Sequence, residues 1–100
     1  MKILNVDWAL FGATSILYLV DSENLTVRST GVRAVSIDEL VEVVLDIVNS
    51  NPDIVSVNIM DICSHGSAIV DSMKEEFEKE GLNKVEVNGY KFMQMWYLRM

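Results

Sequence analysis

Cysteine is almost missing from this chain of 100 residues, where Cys63 stands alone. A single thiol excludes an internal disulfide framework and a cysteine-based zinc site, and it fits a reducing cytoplasm. Long apolar runs are missing as well. The most apolar stretch, residues 41–48, is interrupted by Glu42 and Asp46, and it falls far short of the roughly 20 residues that a membrane-spanning helix needs. Met1-Lys2 runs straight into Ile3-Leu4-Asn5-Val6-Asp7, without the basic region, apolar core and small-residue cleavage site of a secretory leader. The expected location is therefore the cytoplasm, with no membrane partner. Positive charge is also scarce, since eight Lys and Arg face fifteen Asp and Glu, for a net charge of −7. Nucleic-acid binders gain affinity by neutralising phosphates. The cations here (Lys2, Arg28, Arg33, Lys74, Lys79, Lys84, Lys91 and Arg99) form no run that would make a phosphate track. This balance disfavours DNA binding by the chain alone and suits a metal ion or a basic protein partner.

Half of the residues are hydrophobic, enough for one core and one domain spanning residues 1–100. Lys2–Asp7 reads as a strand buried on both sides. A second strand covers residues 14–20 after the Phe11-Gly12-Ala13 turn, and a third covers residues 25–35, with Gly31 as a bulge or bend. Short connections predict an antiparallel meander. Ser36-Ile37-Asp38-Glu39 has the form of a capping box, in which Glu39 reaches back to the Ser36 amide. The helix it opens carries Leu40, Val41, Val44, Leu45, Ile47 and Val48 in a wide stripe and stops at Asn49-Ser50-Asn51-Pro52. Ile54–Met60 then reads as a buried strand parallel to the first, because a crossover of this length suits a βαβ unit. A second helix follows Asp61-Ile62-Cys63-Ser64-His65-Gly66 and runs to about Glu80. Its inward residues are Ile69, Val70, Met73 and Phe77, and Glu75 and Lys79 form an i,i+4 pair. Residues 84–87 read as a fifth strand. The tail, residues 90–100, is too apolar for a free end and is expected to pack, either closing the core or serving as an interface for a protein partner or self-association.

In this order of elements the first and fourth strands become neighbours, so Asp7 and Asp61 at their ends would meet at one sheet edge. Two close carboxylates repel one another unless one protonates or a divalent cation binds, and Mg2+ or Mn2+ with oxygen ligands is the usual resident. In two-metal nucleases such ions activate water and stabilise the leaving oxygen. The plainer alternative is that Asp after an apolar strand serves as a turn residue.

The chain resembles the nuclease domain of phage terminase large subunits, a branch of the ribonuclease H-like superfamily. The matching residues are Val6-Asp7-Trp8-Ala9 with Gly12, then Asp61-Ile62-Cys63-Ser64-His65-Gly66-Ser67-Ala68-Ile69-Val70-Asp71. Val85-Glu86-Val87-Asn88-Gly89 and Met95-Trp96-Tyr97-Leu98-Arg99 match the strand and helix start that follow. The resemblance implies an α/β fold with a ribonuclease H-like five-stranded mixed sheet in the order 3-2-1-4-5, two main helices and a packed tail. It also implies Asp7 and Asp61 as catalytic metal ligands. The family's further acidic ligand comes from a later helix that has no counterpart here. Asp71 is the available substitute, against its plainer use as a carboxylate favoured by a helix N-terminus. No G-x-x-x-x-G-K-[ST] loop is present, which excludes the ATP-driven motor of a full terminase.

Other residues have both a chemical and a plain reading. His65 is a possible proton shuttle or a solvated turn residue; Cys63 is a nucleophile or a small buried residue; Trp8 and Phe11 stack on bases or pack in the core. The leading expectation is a phage-type, divalent-metal-dependent endonuclease domain, minimal or degenerate, acting on DNA in the host cytoplasm. The alternative is a non-catalytic acidic binding or inhibitor protein of the same fold that docks to a nucleic-acid enzyme.

Overall fold

A computed structural model describes residues 1–9, 11–60 and 66–90. Strands β1 (Lys2–Asp7), β2 (Thr14–Asp21) and β3 (Thr26–Arg33) are followed by helix α1 (Ile37–Ser50), strand β4 (Ile54–Met60), helix α2 (Gly66–Lys79) and strand β5 (Glu86–Tyr90). The five strands make one mixed sheet in the order 3-2-1-4-5. β1, β2 and β3 pair as an antiparallel meander, while β1–β4 and β4–β5 are parallel. This is the expected arrangement.

Strand side chains alternate between the two faces, and the register aligns the apolar set. Leu4 opposes Leu19 and Val57, Val6 opposes Leu17 and Ile59, and Val57 opposes Val87. These side chains meet Leu40, Val41, Val44 and Val48 of α1 and Ile69, Val70, Met73 and Phe77 of α2 in a single core. Both helices therefore cover the same face of the sheet. β1 is consequently buried on one side rather than both: Leu4 and Val6 are buried, Ile3 and Asn5 are half-buried, and Asp7 is exposed.

Helix boundaries follow local chemistry. Ser36 Oγ accepts the Glu39 N–H at 3.2 Å, but Glu39 Oε2 accepts from the Val35 N–H at 2.8 Å rather than from Ser36. The carboxylate thus clamps the residue before the cap. At the other end of α1, Asn51 Nδ2 donates to the Ile47 carbonyl at 2.8 Å, and Pro52 lacks the N–H needed to continue. α2 closes at Gly81, whose φ of 72° allows the Leu82 N–H to return to the Phe77 carbonyl at 2.9 Å. On its exposed side, Lys79 pairs with Glu75 at 3.5 Å and Glu76 at 3.3 Å.

Three further expectations change. Gly31 is not a bulge, because β2 and β3 pair without interruption through Ile16 and Gly31; a Cβ there would stand 3.2 Å from Thr14 Cγ2, so the glycine relieves crowding. β5 begins at Glu86 instead of residue 84, since the Val85 N–H turns back to the Leu82 carbonyl. Trp8 packs against the core whereas Phe11, in the connection between β1 and β2, is exposed. The expected packing of the tail falls, after Tyr90, outside the described residues.

The β2–β3 turn is organised by Asp21, whose Oδ1 accepts the N–H groups of Glu23 and Asn24 at 3.0 and 3.4 Å and whose Oδ2 accepts Asn24 Nδ2 at 2.7 Å. The Asn24 side chain is the main reason that the Asp21 carboxyl titrates below its ordinary value. A depressed carboxyl pKa adds stability that is present above the unfolded value and is lost as pH falls through the folded one. Asp21→Asn should therefore flatten the acid limb of a pH–stability curve in that window, as followed by urea denaturation at a series of pH values. Truncation of the wholly buried Leu40 to alanine should cost about 2–5 kcal/mol, whereas Ser36→Ala should cost about 1 kcal/mol through the lost cap; urea midpoints of the two variants should separate accordingly.

Candidate functional site

Asp7 closes β1 and Met60 closes β4, with Val6 and Ile59 paired just before them. The two parallel strands thus end level at one edge of the molecule. Asp7 is exposed there and has no ion pair or hydrogen bond of its side chain among the described residues. Asp61 follows Met60 directly in sequence, but it lies outside the described residues, as do Cys63 and His65. Asp71 is exposed on α2 between the buried Val70 and Met73. Among the described residues, no three His, Cys, Asp or Glu side chains gather into a group that could hold a metal ion.

The loop that leaves Asp7 is anchored to the meander. The Ala9 N–H donates to Ser15 Oγ at 2.9 Å, which satisfies a hydroxyl that is almost fully buried. Farther along, the Gly12 N–H donates to the Ala34 carbonyl at 2.9 Å, and the Gly12 carbonyl accepts Arg33 Nε at 2.8 Å. Gly12 sits at φ 96°, a backbone conformation that a residue with a Cβ adopts only with strain. These bonds fasten the chain on both sides of the loop and hold the end of β1 in place.

Sequence reasoning missed an asparagine ladder behind Asp7. Asn5, Asn58 and Asn88 stand in register on β1, β4 and β5. Asn58 Nδ2 donates to Asn5 Oδ1 at 3.0 Å, and Asn88 Nδ2 donates to Asn58 Oδ1 at 3.2 Å. All three point away from the helices, on the same face as Asp7 two residues along β1. The available signal was an amide side chain in the middle of three strands, in Leu4-Asn5-Val6, Val57-Asn58-Ile59 and Val87-Asn88-Gly89, where asparagine is normally depleted. A slip of one residue would turn these amides into the apolar core and break the chain of bonds. The ladder therefore reinforces the register that brings β1 and β4 to the same level.

No protein-family model matches the sequence, and no curated protein matches it. Among solved structures, the chain is similar to the catalytic core domain of BIV integrase, with a TM-score of 0.52 and 10% sequence identity over 97% of this chain. The match spans 61% of the integrase chain. Together with the strand order, this likeness makes the fold ribonuclease H-like.

The ladder predicts an order of stabilities. Asn58→Ala removes two side-chain bonds and leaves two half-buried amides without their partners, whereas Asn88→Ala removes one. With about 0.5–1.5 kcal/mol per bond, Asn58→Ala should lower the urea midpoint more than Asn88→Ala, and the double variant should cost less than the sum because the two share a bond.

Proposed function

We propose that the chain is a nuclease-like domain of the phage terminase type, with Asp7 and Asp61 as ligands of a divalent metal ion. The observation that carries this reading is the level ending of the adjacent parallel strands β1 and β4, with Asp7 exposed at one end and residue 61 next after the other. The likeness to the catalytic core domain of an integrase supports a nuclease-like use of the fold.

The donor chemistry fits a hard cation. Asp7 offers an exposed carboxylate without a competing partner among the described residues, and Mg2+ characteristically binds through one or two carboxylates while retaining several waters. Mn2+ accepts the same oxygen donors. Asp7 and Asp61 would hold the ion, and Asp71 is a third candidate only if its segment approaches them. A bound ion supplies Lewis-acid stabilisation of phosphoryl oxygens and a more acidic water. The chain's own contribution is to bring Asp7 level with the end of β4, from which Asp61 follows in sequence, through the β1–β4 pairing and the Asn5–Asn58 bond. DNA would be the substrate, and the net charge of −7 makes its binding weak without further cationic surface.

The same acidity favours a second reading: a non-catalytic acidic protein that docks to a nucleic-acid enzyme. Thermal unfolding separates the two. A cation that binds only the folded state at a hundred times its dissociation constant stabilises by about 2.7 kcal/mol, which for a domain of this size is a rise of roughly 10 °C or more. Mn2+ or Mg2+ should produce that rise, and Asp7→Asn or Asp61→Asn should abolish most of it together with weak nicking of DNA. Flat melting temperatures and no heat of metal binding in calorimetry would leave the acidic binding protein as the reading.

A further inference from the structure

The β3 edge of the sheet differs from the other described residues in charge, exposure and backbone conformation. β3 pairs only with β2 among the described residues, and it does so over eight consecutive residue pairs without a bulge. Its outer side therefore presents an uninterrupted row of main-chain donors and acceptors. Natural edge strands are commonly blunted by proline, lysine, a bulge or a covering element. β3 has no proline, no lysine and no bulge, and seven of its eight residues are exposed. Apolar exposure is concentrated in the same segment: Leu25 is 89% exposed, Val35 65% and Val27 63%. Leu25 also holds φ at 53°, a left-handed conformation that costs a non-glycine residue roughly 1–2 kcal/mol. A strained, solvent-exposed leucine gains nothing in the free molecule that glycine or asparagine would not provide more cheaply.

Charge identifies the occupant. Residues 25–35 contain Arg28 and Arg33 and no carboxylate, so all fifteen acidic residues lie elsewhere. Among the described residues, neither guanidinium meets a carboxylate; Arg33 is turned onto the Gly12 carbonyl. On the helix side of β3, Arg28 borders a cleft of about 240 Å³ whose lining includes Leu17, Leu19, Ile47 and Asn51. We propose that β3 is a docking edge for an extended, acidic and apolar segment of a partner protein, which adds a sixth strand. Main-chain bonds supply the affinity and alternate side chains supply the selectivity: an acidic side chain on the helix side meets Arg28 at the cleft, while apolar ones cover Val27. A second copy of β3 would bring four guanidinium groups together with no carboxylate between them. Nucleic acid would set its phosphates against outward carbonyl oxygens.

The test titrates the whole chain with three labelled probes, followed by fluorescence anisotropy and by amide NMR shifts. The probes are a peptide alternating valine and glutamate, its valine–lysine counterpart, and oligothymidylate. The valine–glutamate peptide should bind saturably, at least about tenfold more tightly than the other two, with shifts concentrated in residues 25–35. Arg28→Glu should weaken that peptide about tenfold and strengthen the valine–lysine one. Val27→Lys, which blunts the edge, should weaken both. Melting curves check the fold of each variant, and Arg28→Gln carries the charge test if Arg28→Glu unfolds. Equal binding of the two peptides, shifts elsewhere on the molecule, tighter binding of oligothymidylate, or sedimentation showing a dimer that Val27→Lys dissociates would each overturn the proposal.

Discussion

The parallel pairing of β1 with β4 is the contact on which this molecule is built. β1 comes from the N-terminal meander and β4 from beyond α1, and only their side-by-side alignment joins the antiparallel half of the sheet to the parallel half. Parallel strands need a crossover connection, and α1 provides it while laying Leu40, Val41, Val44 and Val48 across the junction. Because the pairing runs through Leu4 with Val57 and Val6 with Ile59, it sets the level at which both strands end. The position of Asp7 relative to the end of β4 follows from that register.

Placing both helices on one face has a second consequence. The covered face of β1, β4 and β5 is apolar at Leu4, Val6, Val57, Ile59 and Val87, while the other carries Asn5, Asn58, Asn88, Tyr18 and Asp7. Amides that would be costly inside the core here satisfy one another along a row. They also link three strands in one register, which a set of interchangeable aliphatic side chains would specify less strictly. The carboxylate at the strand end and the amides behind it thus depend on the same alternation of faces.

The charge distribution adds a different constraint. Acidic residues outnumber basic ones fifteen to eight, and ion pairs among the described residues are confined to the exposed side of α2, the N-terminal amine and the half-buried Lys2–Asp53 contact; exposed pairs such as those of Lys79 and the N-terminal amine add little stability. Stability must come chiefly from the single core. Surface charge is then free to vary with function, and its uneven arrangement, acidic around the helices and cationic along β3, bears on what can approach each part of the molecule.

Much of this architecture was legible in the amino-acid sequence because its determinants are local. The short apolar run of Ile3-Leu4-Asn5-Val6, the 3.6-residue stripe from Leu40 to Val48 and the Ser36–Glu39 cap act within a few residues of one another, and the lengths of the connections restrict how the strands can be ordered. The one-sided burial of β1 was not legible: Ile3, Leu4 and Val6 read as apolar in either case, and only the placement of both helices on one face decides which of them leave water. Nor could the sequence pair Asn5 with Asn58 and Asn88, which lie far apart along the chain. Gly31 illustrates the same limit, since its lack of a side chain answers to Thr14 on the neighbouring strand and not to a local bend. Local propensity determined the elements, and contacts distant in sequence, set by the β1–β4 register, decided what those elements bring together.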